Sequence, residues 1–217
     1  LNPSSAASDV YKRQTRRWPK AVEEAAKKDF DVTLNEKDIP LSLEDMRNAL
    51  KSYDAISPTV TDILDSKTFD VENLSCKILC NYGVGYSHID IPSAQKLGIC
   101  VTNTPDVLSD CTADIAMTLL LMAARRAGEG ERELRADKWH GWRPTHMVGA
   151  KVTGKTLGII GFGRIGQAMA SRGYFGFGMK INIFSRSQVS AELLEKFYAE
   201  QFSSVETLLN ESDFVSL

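Results

Sequence analysis

The 217-residue sequence lacks the residue patterns that several classes of function need. Its four cysteines form no Cys-x-x-Cys pair, and none of its three histidines lies at ligand spacing from them, so no metal site is expected. The formal net charge is only −2, without a basic excess, which argues against a nucleic-acid partner. The longest apolar stretch, IAMTLLLMAA at residues 115–124, is far shorter than the ~20 residues that cross a bilayer. It is expected to be a buried helix, and no membrane partner is expected.

The cysteines and the N-terminus bear on where the protein resides. Cys76, Cys80, Cys100 and Cys111 are interpreted as free thiols of a protein in the reducing cytoplasm. The N-terminus lacks methionine, and SSAASDVYKRQ contains no apolar segment, so a signal peptide is not expected. The stretch DVYKRQ looks like the translated end of a sequencing linker. We therefore expect residues 1–14 to be a sequencing scar on an incomplete reading frame and to lie outside the fold.

The rest of the sequence alternates short apolar strands with helices, a rhythm typical of parallel sheets that are covered by helices. Ser42 followed by Asp45 predicts the start of one helix, because the two residues can form a capping box. Gly98 predicts the end of another helix. A second rhythm of the same kind begins at KTLGIIGFG. We predict two α/β domains, at residues 15–103 and 104–217.

A long helix is predicted at residues 109–135, and the irregular stretch KWHGWRPTHMVGA follows it as a loop. Because residues 115–124 are apolar nearly all round, the helix is expected to be buried on more than one side and to contribute to a subunit interface. Trp139 and Trp142 in the loop suit a subunit contact or a cofactor cleft. The alternative is that the two rings anchor the loop to their own domain.

The strongest chemical signal is TLGIIGFGRIGQAMA, in which an apolar strand ends at a Gly-x-Gly-x-x-Gly loop and a helix follows. Gly161 permits the tight turn, Gly163 lets a pyrophosphate approach the backbone, and Gly166 lets the helix pack on the strand. The N–H groups at the start of the helix attract phosphate. An unliganded glycine turn is the alternative that this context disfavours. The predicted dinucleotide loop consists of Gly161, Phe162, Gly163, Arg164, Ile165 and Gly166.

The next strand, in KINIFSRS, ends where a ribose-binding carboxylate is expected for NAD, roughly 20 residues after the glycine motif. Ser185, Arg186 and Ser187 stand there instead. An arginine and two hydroxyls would bind a 2′-phosphate, which a carboxylate would repel. We therefore predict NADP as the cofactor. The alternative is NAD, with Arg186 as a solvated surface residue.

Three segments in the same order, NYGVGYSHIDIPSAQKLGICVTNTPDVLSDCTADIAMTLLLMAARR, WHGWRP and GKTLGIIGFGRIGQAMA, resemble the D-isomer-specific 2-hydroxyacid dehydrogenases. The glyoxylate/hydroxypyruvate reductase branch is the nearest, and the resemblance covers about residues 15–217. It implies two doubly wound parallel-sheet domains, a flavodoxin-like substrate domain and a Rossmann nucleotide domain that is truncated here. It also implies hydride transfer between NAD(P)H and a small 2-oxo or 2-hydroxy acid, and a homodimer for the complete protein.

The resemblance assigns roles to particular residues. The family binds the substrate carboxylate with backbone amides of a GVG turn, which correspond to Val84 and Gly85, and a glycine-rich turn suits an anion. A plain strand-ending turn is the alternative. Thr112, in CTAD, matches a family position near the cofactor phosphates. Ser109 or Thr112 could equally serve as simple helix caps.

The catalytic Arg, Glu and His of the family are expected beyond Leu217, so no catalytic residue is predicted in this chain. His140 and His146 lie in the irregular loop and are interpreted as surface or packing histidines rather than as proton donors. The sequence stops within DFVSL, at residues 213–217, which is expected to be a buried fourth strand of the nucleotide sheet. The chain is accordingly expected to be a fragment without turnover.

Two other functions stay open. One is a different dehydrogenase of the same family, of the phosphoglycerate or formate type. The other is a regulator that senses NAD(P)H without turnover. An Arg, a Glu and a His in family order downstream would favour the enzyme.

Overall fold

The structure is a computed structural model, and it describes residues 10–217. By internal contacts it divides into two compact units, Leu1–Val107 and Leu108–Leu217. Each unit is built on one parallel sheet with helices packed on it. The predicted α/β class with two sheets is therefore confirmed, and the division falls a few residues after the predicted boundary.

The sheet of the first unit has five short strands among the described residues: β1 (Tyr11–Gln14), β2 (Asp31–Thr33), β3 (Ala55–Ser57), β4 (Ile78–Cys80) and β5 (Cys100–Thr102). Their order is β2-β1-β3-β4-β5, and all neighbouring strands are parallel. This is the flavodoxin-like order of a doubly wound sheet. The helices of this unit are α1 (Lys20–Asp29), α2 (Leu43–Ser52) and α3 (Ile91–Lys96).

Two predicted helix boundaries in the first unit are confirmed. Ser42 caps α2 through a capping box: its side chain accepts from the Asp45 amide, and the Asp45 carboxylate accepts from the Ser42 amide. Gly98 follows α3 with a φ of 74°, in the left-handed region that glycine adopts without steric cost. Both boundaries come from local chemistry, which the sequence shows directly.

The prediction that residues 1–14 lie outside the fold was wrong for Tyr11–Gln14. These four residues form β1, which lies between β2 and β3 and pairs with both. Strand pairing uses backbone groups, so the polar composition of YKRQ does not prevent it. Gln14 at the strand end is 1% exposed and donates from Nε2 to Oε1 of Glu23 over 3.1 Å. The rest of the prediction, for residues 1–9, lies outside the described residues.

Glu23 in α1 ties that helix to the segment after β1. Its carboxylate accepts two hydrogen bonds from the Arg17 guanidinium, each 2.7 Å long, and another from the Trp18 amide. Arg17 is the main reason that the pKa of Glu23 is lowered to about 2, and the amide of Trp18 and the side chain of Gln14 add to it. A buried carboxylate is tolerated here because its oxygens are paired.

The sheet of the second unit has four strands among the described residues: β6 (Thr156–Ile160), β7 (Lys180–Phe184), β8 (Ala199–Gln201) and β9 (Phe214–Ser216). Their order is β8-β7-β6-β9, all parallel, which is the strand order of a Rossmann nucleotide sheet. The helices are α4 (Ser109–Arg125), α5 (Ala127–Arg135), α6 (Arg164–Ser171), α7 (Ala191–Lys196) and α8 (Val205–Asn210). A π-helix, Arg172–Gly176, continues α6.

The single helix predicted at residues 109–135 was wrong, because the structure has two helices there. Arg126 adopts a left-handed conformation with φ 54° and ends α4. The carbonyl of Ala124 accepts a hydrogen bond from the Ala150 amide over 2.8 Å. In a continuous helix that carbonyl would accept a hydrogen bond from the Gly128 amide instead. A Cβ on Gly149 would collide with the same carbonyl, so the returning chain packs closely against the break.

The helix α4 is buried on one side within the chain, not on several. Ala113 is buried, and Met117 and Ala124 are buried in the core of the second unit. Ile115, Leu119 and Met122 are 58%, 60% and 42% exposed. Their spacing of four and three residues puts them on one face of the helix. The apolar sequence of α4 therefore covers two faces, of which the chain itself covers one.

The predicted fourth strand at residues 213–217 exists as β9, but it is not buried. β9 pairs only with β6 and is an edge of the four-stranded sheet. Val215 in its centre is 44% exposed. The apolar sequence predicted the strand correctly, whereas its burial depends on neighbours on both faces and edges.

Candidate functional site

The glycine loop connects β6 to α6 in the second unit. Gly161 has a φ of 97°, which a residue with a side chain adopts only with strain, and its amide donates to the Phe184 carbonyl over 2.8 Å. That bond ties the loop to the end of the neighbouring strand β7. The backbone conformation at this tight turn therefore requires glycine, as predicted.

Gly163 and Gly166 lack side chains for different reasons. A Cβ on Gly163 would meet nothing within 4 Å, so the space before it is open. A Cβ on Gly166 would collide with the carbonyl oxygen of Gly161 and would press on Ile159. Gly166 is therefore required by the packing of helix on strand, whereas Gly163 leaves room for something outside the protein. This is the difference expected between a packing glycine and a phosphate-approach glycine.

The start of α6 presents an anion-binding end to that open space. Gly163 is its N-cap, and no side-chain hydrogen bond caps the helix. Its first amides and the helix dipole thus favour a phosphate group. Arg164 and Ile165 lie on the exposed first turn. The Phe162 side chain is 6% exposed and meets Phe197 edge-on, so it anchors the loop in the core.

The loop lies where Rossmann sheets bind their ligands. β6 has β7 on one side and β9 on the other, so the chain crosses from one half of the sheet to the other beside β6. Ligands bind outside the carboxyl ends of the strands at such a switch point. Ile160 pairs with Phe184, so Gly161 and Ser185 leave the sheet at the same edge. Ser187 and Arg186 are exposed, and Arg186 makes no ion pair within residues 10–217.

Thr112 lies in the first turn of α4, the helix that packs on α6. No side-chain hydrogen bond caps α4, so the structure gives neither Ser109 nor Thr112 a capping role. Sequence reasoning missed Arg172, which holds this turn in place. Its guanidinium contacts Asp114 Oδ1 at 2.6 Å and Asp110 Oδ1 at 3.3 Å.

The GVG turn of the first unit, residues 83–85, follows β4. All three of its carbonyls accept hydrogen bonds from side-chain amides. Asn81 Nδ2 donates to the carbonyls of Gly83 (3.1 Å) and Gly85 (3.0 Å), and Asn103 Nδ2 donates to the carbonyl of Val84 (2.8 Å). Within the described chain, no acceptor engages the amides of Val84 or Gly85. A Cβ on Gly85 would meet nothing within 4 Å. The turn thus has free donors beside open space, which suits an anion.

Asn81 is the centre of this arrangement, and its orientation is fixed. Both of its amide hydrogens go to carbonyls, so its Oδ1 must be the acceptor towards His88 Nε2, 3.1 Å away. His88 therefore carries its proton on Nε2. Burial lowers the pKa of His88, and the charge of Asp62 opposes this. Sequence reasoning did not identify Asn81 or Asn103, since the bonds they form depend on the folded turn.

Comparison with known proteins agrees with this geometry. Residues 117–217 match the family described as D-isomer specific 2-hydroxyacid dehydrogenase, NAD binding domain. The chain is 42% identical over 207 residues to glyoxylate reductase from Thermococcus kodakarensis, covering 94% of this chain and 61% of that protein. It is 39% identical over 201 residues to glycerate dehydrogenase from Hyphomicrobium methylovorum, covering 92% and 62%.

A crystal structure from Polaromonas sp., described as a D-isomer specific 2-hydroxyacid dehydrogenase, superposes with a TM-score of 0.87 at 36% identity. The match covers 95% of this chain and 64% of the Polaromonas chain. The chain belongs to the D-2-hydroxyacid dehydrogenase family. It spans about 61% of the length of the Thermococcus relative.

As a member of this family, the chain has residues that fit a nicotinamide dinucleotide. The open cradle at Gly163, the uncapped start of α6 and the exposed Arg186 all lie at or near one sheet edge of the second unit. The predicted residues of the first unit, Val84 and Gly85, form a separate turn whose backbone amides are free within the described residues. Within residues 10–217, no group of three His, Cys, Asp or Glu side chains could hold a metal ion. No helix in the same range is long and apolar enough to cross a membrane.

The loop after α5 holds His140 and His146, which the sequence suggested to be surface or packing histidines. His146 Nε2 contacts Glu133 Oε2 at 2.9 Å, and Arg143 approaches the other oxygen of Glu133 at 3.6 Å. Together with Trp139 and Trp142 these residues line a pocket of about 550 Å³. The interactions fasten the loop to α5, which agrees with a packing role for His146.

Proposed function

We propose that this chain carries the cofactor site and the carboxylate-binding turn of an NADPH-dependent reductase of small 2-oxo acids, of the glyoxylate/hydroxypyruvate type. The observation that carries the proposal is the glycine loop at the switch point, beside a strand end where Arg186 stands between two serines. The names of the relatives support the substrate class, since glyoxylate is a 2-oxo acid and glycerate is a 2-hydroxy acid.

The reaction adds a hydride to the carbonyl carbon and a proton to the carbonyl oxygen of the 2-oxo acid. A bound nicotinamide supplies the hydride. The amides of Val84 and Gly85 hold the substrate carboxylate, and the ties from Asn81 and Asn103 keep these donors in place before substrate arrives. The glycine loop and the start of α6 hold the pyrophosphate. Thr112 is proposed to lie near the phosphates, and the packing of α4 on α6 supports this.

We propose that none of the residues named above supplies the proton. In the family an Arg holds the substrate carbonyl and carboxylate, and a Glu tunes the His that supplies the proton. We propose that turnover requires those three residues, and that the 217 residues alone do not reduce 2-oxo acids. The share of the relatives that the chain spans, about 61%, supports this.

Cofactor preference is the first test. We expect the chain to bind NADPH more tightly than NADH, and Arg186→Ala to weaken NADPH binding by about tenfold or more, because a charge-assisted contact to the 2′-phosphate is lost. NADH binding should change little. Fluorescence titration of both cofactors measures this.

The matched control is Arg135→Ala, which removes an exposed arginine of the same unit that pairs with Glu131. It should leave both affinities unchanged. Equal affinity for NADPH and NADH in the unaltered protein would favour NAD as the cofactor, with Arg186 as a solvated residue.

Two alternatives follow from the same geometry. A phosphoglycerate- or formate-type dehydrogenase would use the same loop and turn with a different substrate pocket. A regulator would bind NAD(P)H with the same loop and would need no carboxylate site. The free amides of Val84 and Gly85 favour an enzyme over a regulator, because a sensor of the cofactor has no use for them.

A homodimer is proposed for the complete protein, formed through the second unit. Ile115, Leu119 and Met122 give α4 an uncovered apolar face. Trp142 is 82% exposed and Trp139 53% exposed, and large apolar rings of this kind are enriched in interfaces. A second copy of the chain would cover both features. We also place the protein in the cytoplasm, where its four free cysteines remain reduced.

Leu119→Glu is expected to convert the dimer to a monomer at micromolar concentration, because it places a charge in the apolar contact. Sedimentation velocity measures the change. Leu209→Glu is the matched control, since Leu209 is an exposed leucine on α8 of the same unit. A monomer in the unaltered protein, or a dimer that persists in Leu119→Glu, would contradict this interface.

A further inference from the structure

A glutamine at the end of β8 spans the loop that carries the proposed 2′-phosphate residues. Gln201 Oε1 accepts a hydrogen bond from the Val189 amide over 2.9 Å, and its Nε2 donates to the Ser187 carbonyl over 3.0 Å. Gln201 itself pairs with Ile183 in the sheet, so it stands on a rigid element. One side-chain amide thus binds the backbone on both sides of position 188.

The amide has only one workable orientation. Exchanging its oxygen and nitrogen would point a donor at the Val189 N–H and an acceptor at the Ser187 carbonyl. A glutamate could keep the Val189 bond but could not donate to Ser187, and an apolar side chain could form neither bond. Both contacts therefore require glutamine at this position.

The segment between β7 and α7 is consequently fixed at two points. At its start, the Phe184 carbonyl accepts from the Gly161 amide of the glycine loop, and the Ile183 carbonyl accepts from the Phe202 amide. At its end, Gln201 holds Ser187 and Val189. Ser185 and Arg186 lie between these anchors. A loop that is already ordered loses less conformational entropy when it binds a ligand, and so binds more tightly.

We infer that Gln201 is a positioning residue for cofactor choice: it holds the segment of Ser185, Arg186 and Ser187 so that the Arg186 guanidinium meets the 2′-phosphate of the dinucleotide. This inference rests on the proposed preference for NADP. Gln201 touches no cofactor atom in this role and acts through Arg186. A glutamine that only stabilised the loop would affect all nucleotides alike.

The test compares two small probes that differ in the 2′-phosphate, 2′,5′-ADP and 5′-AMP, by calorimetric titration of the whole chain. We expect the unaltered protein to prefer 2′,5′-ADP. Gln201→Met should weaken 2′,5′-ADP binding by about fivefold to tenfold and 5′-AMP binding by less than about twofold. In an Arg186→Ala background, Gln201→Met should no longer change the ratio of the two affinities, because the residue through which it acts is gone.

Asn182→Leu is the matched control. It removes another side-chain hydrogen bond to backbone in the same sheet, from Asn182 Nδ2 to the Glu211 carbonyl, away from the phosphate loop. It should lower thermal stability without changing the ratio of affinities. If Gln201→Met does not fold, Gln201→Glu replaces it, since it retains the Val189 bond, and it should lower the ratio as well.

The outcomes separate the two proposals. Equal affinities for the two probes in the unaltered protein would overturn the NADP proposal, and this inference with it. A preference for 2′,5′-ADP that Arg186→Ala removes but Gln201→Met or Gln201→Glu retains would overturn the inference alone. An equal loss of affinity for both probes would mean that Gln201 only stabilises the loop, and this result would also overturn the inference.

Discussion

Gly163→Val is expected to weaken NADPH binding by about a hundredfold or more while leaving the fold intact. The structure separates these two effects. Apart from its chain neighbours, a Cβ at position 163 meets no protein atom within 4 Å, so there is open space where a side chain would begin. The same Cβ occupies the space that a pyrophosphate needs in order to reach the amides at the start of α6. The backbone of Gly163, with φ −77° and ψ −162°, is extended and open to valine.

Gly176→Val is the matched control for this prediction. Gly176 also has open space where its Cβ would be, and it ends the π-helix rather than the glycine loop. Thermal denaturation should show both variants folded, and fluorescence titration should show NADPH binding only by Gly176→Val. NADPH affinity within about threefold of the unaltered protein in Gly163→Val would contradict the assigned cofactor site.

The parts of the fold that the sequence predicted are those that depend on local chemistry. The Ser42 capping box, the left-handed Gly98 and the tight turn at Gly161 each follow from neighbouring residues and were confirmed. The length of the helix after Ser109 could not be predicted, because α4 ends where the returning segment at Ala150 takes a carbonyl of the helix. That contact joins residues far apart in sequence.

The candidate site shows the same division. The glycines and the Ser185–Arg186–Ser187 segment stand out in the sequence because each has a known requirement at a fixed spacing from a strand. Gln201 and Asn81 do not stand out, since neither belongs to a motif that touches a ligand. Their role depends on which backbone groups the fold brings within reach of a side-chain amide. The strand Tyr11–Gln14 was missed for a different reason: the segment was interpreted as a sequencing linker, whereas its backbone pairs with two strands of the sheet.

Asn81→Asp is expected to disrupt the proposed carboxylate-binding turn and to lower the free energy of unfolding of the first unit by about 3 kcal/mol. Asparagine donates to the carbonyls of Gly83 and Gly85, whereas aspartate has no hydrogen to give and places a negative charge against both oxygens. Asn81 is 2% exposed, so water cannot replace the lost bonds readily. The amides of Val84 and Gly85 would then no longer be held in place for an anion.

Histidine titration gives a readout that simple destabilisation does not. In the unaltered protein, burial lowers the pKa of His88 below its ordinary value of 6.5. Aspartate at position 81 would place a carboxylate beside His88 Nε2 and raise that pKa, because a negative charge favours the imidazolium. The interaction then contributes stability below the pKa of the unfolded histidine and loses it as pH rises through the raised, folded pKa. Asn81→Asp should therefore be less stable relative to the unaltered protein at pH 8 than at pH 6.

Urea denaturation, with hydrogen exchange of the first-unit amides, measures the stability of the first unit. NMR titration measures the pKa of His88. Oxalate, a small dianion with a carboxylate like that of a 2-oxo acid, probes the turn directly and should bind at least about tenfold more weakly to the variant. Asn73→Asp is the matched control: Asn73 is exposed with φ 57°, a conformation that aspartate also tolerates, so stability and oxalate binding should not change. An Asn81→Asp protein with unchanged stability and an unshifted His88 would show that the turn holds its shape without the Asn81 amide, and the carboxylate site would then lose its structural basis.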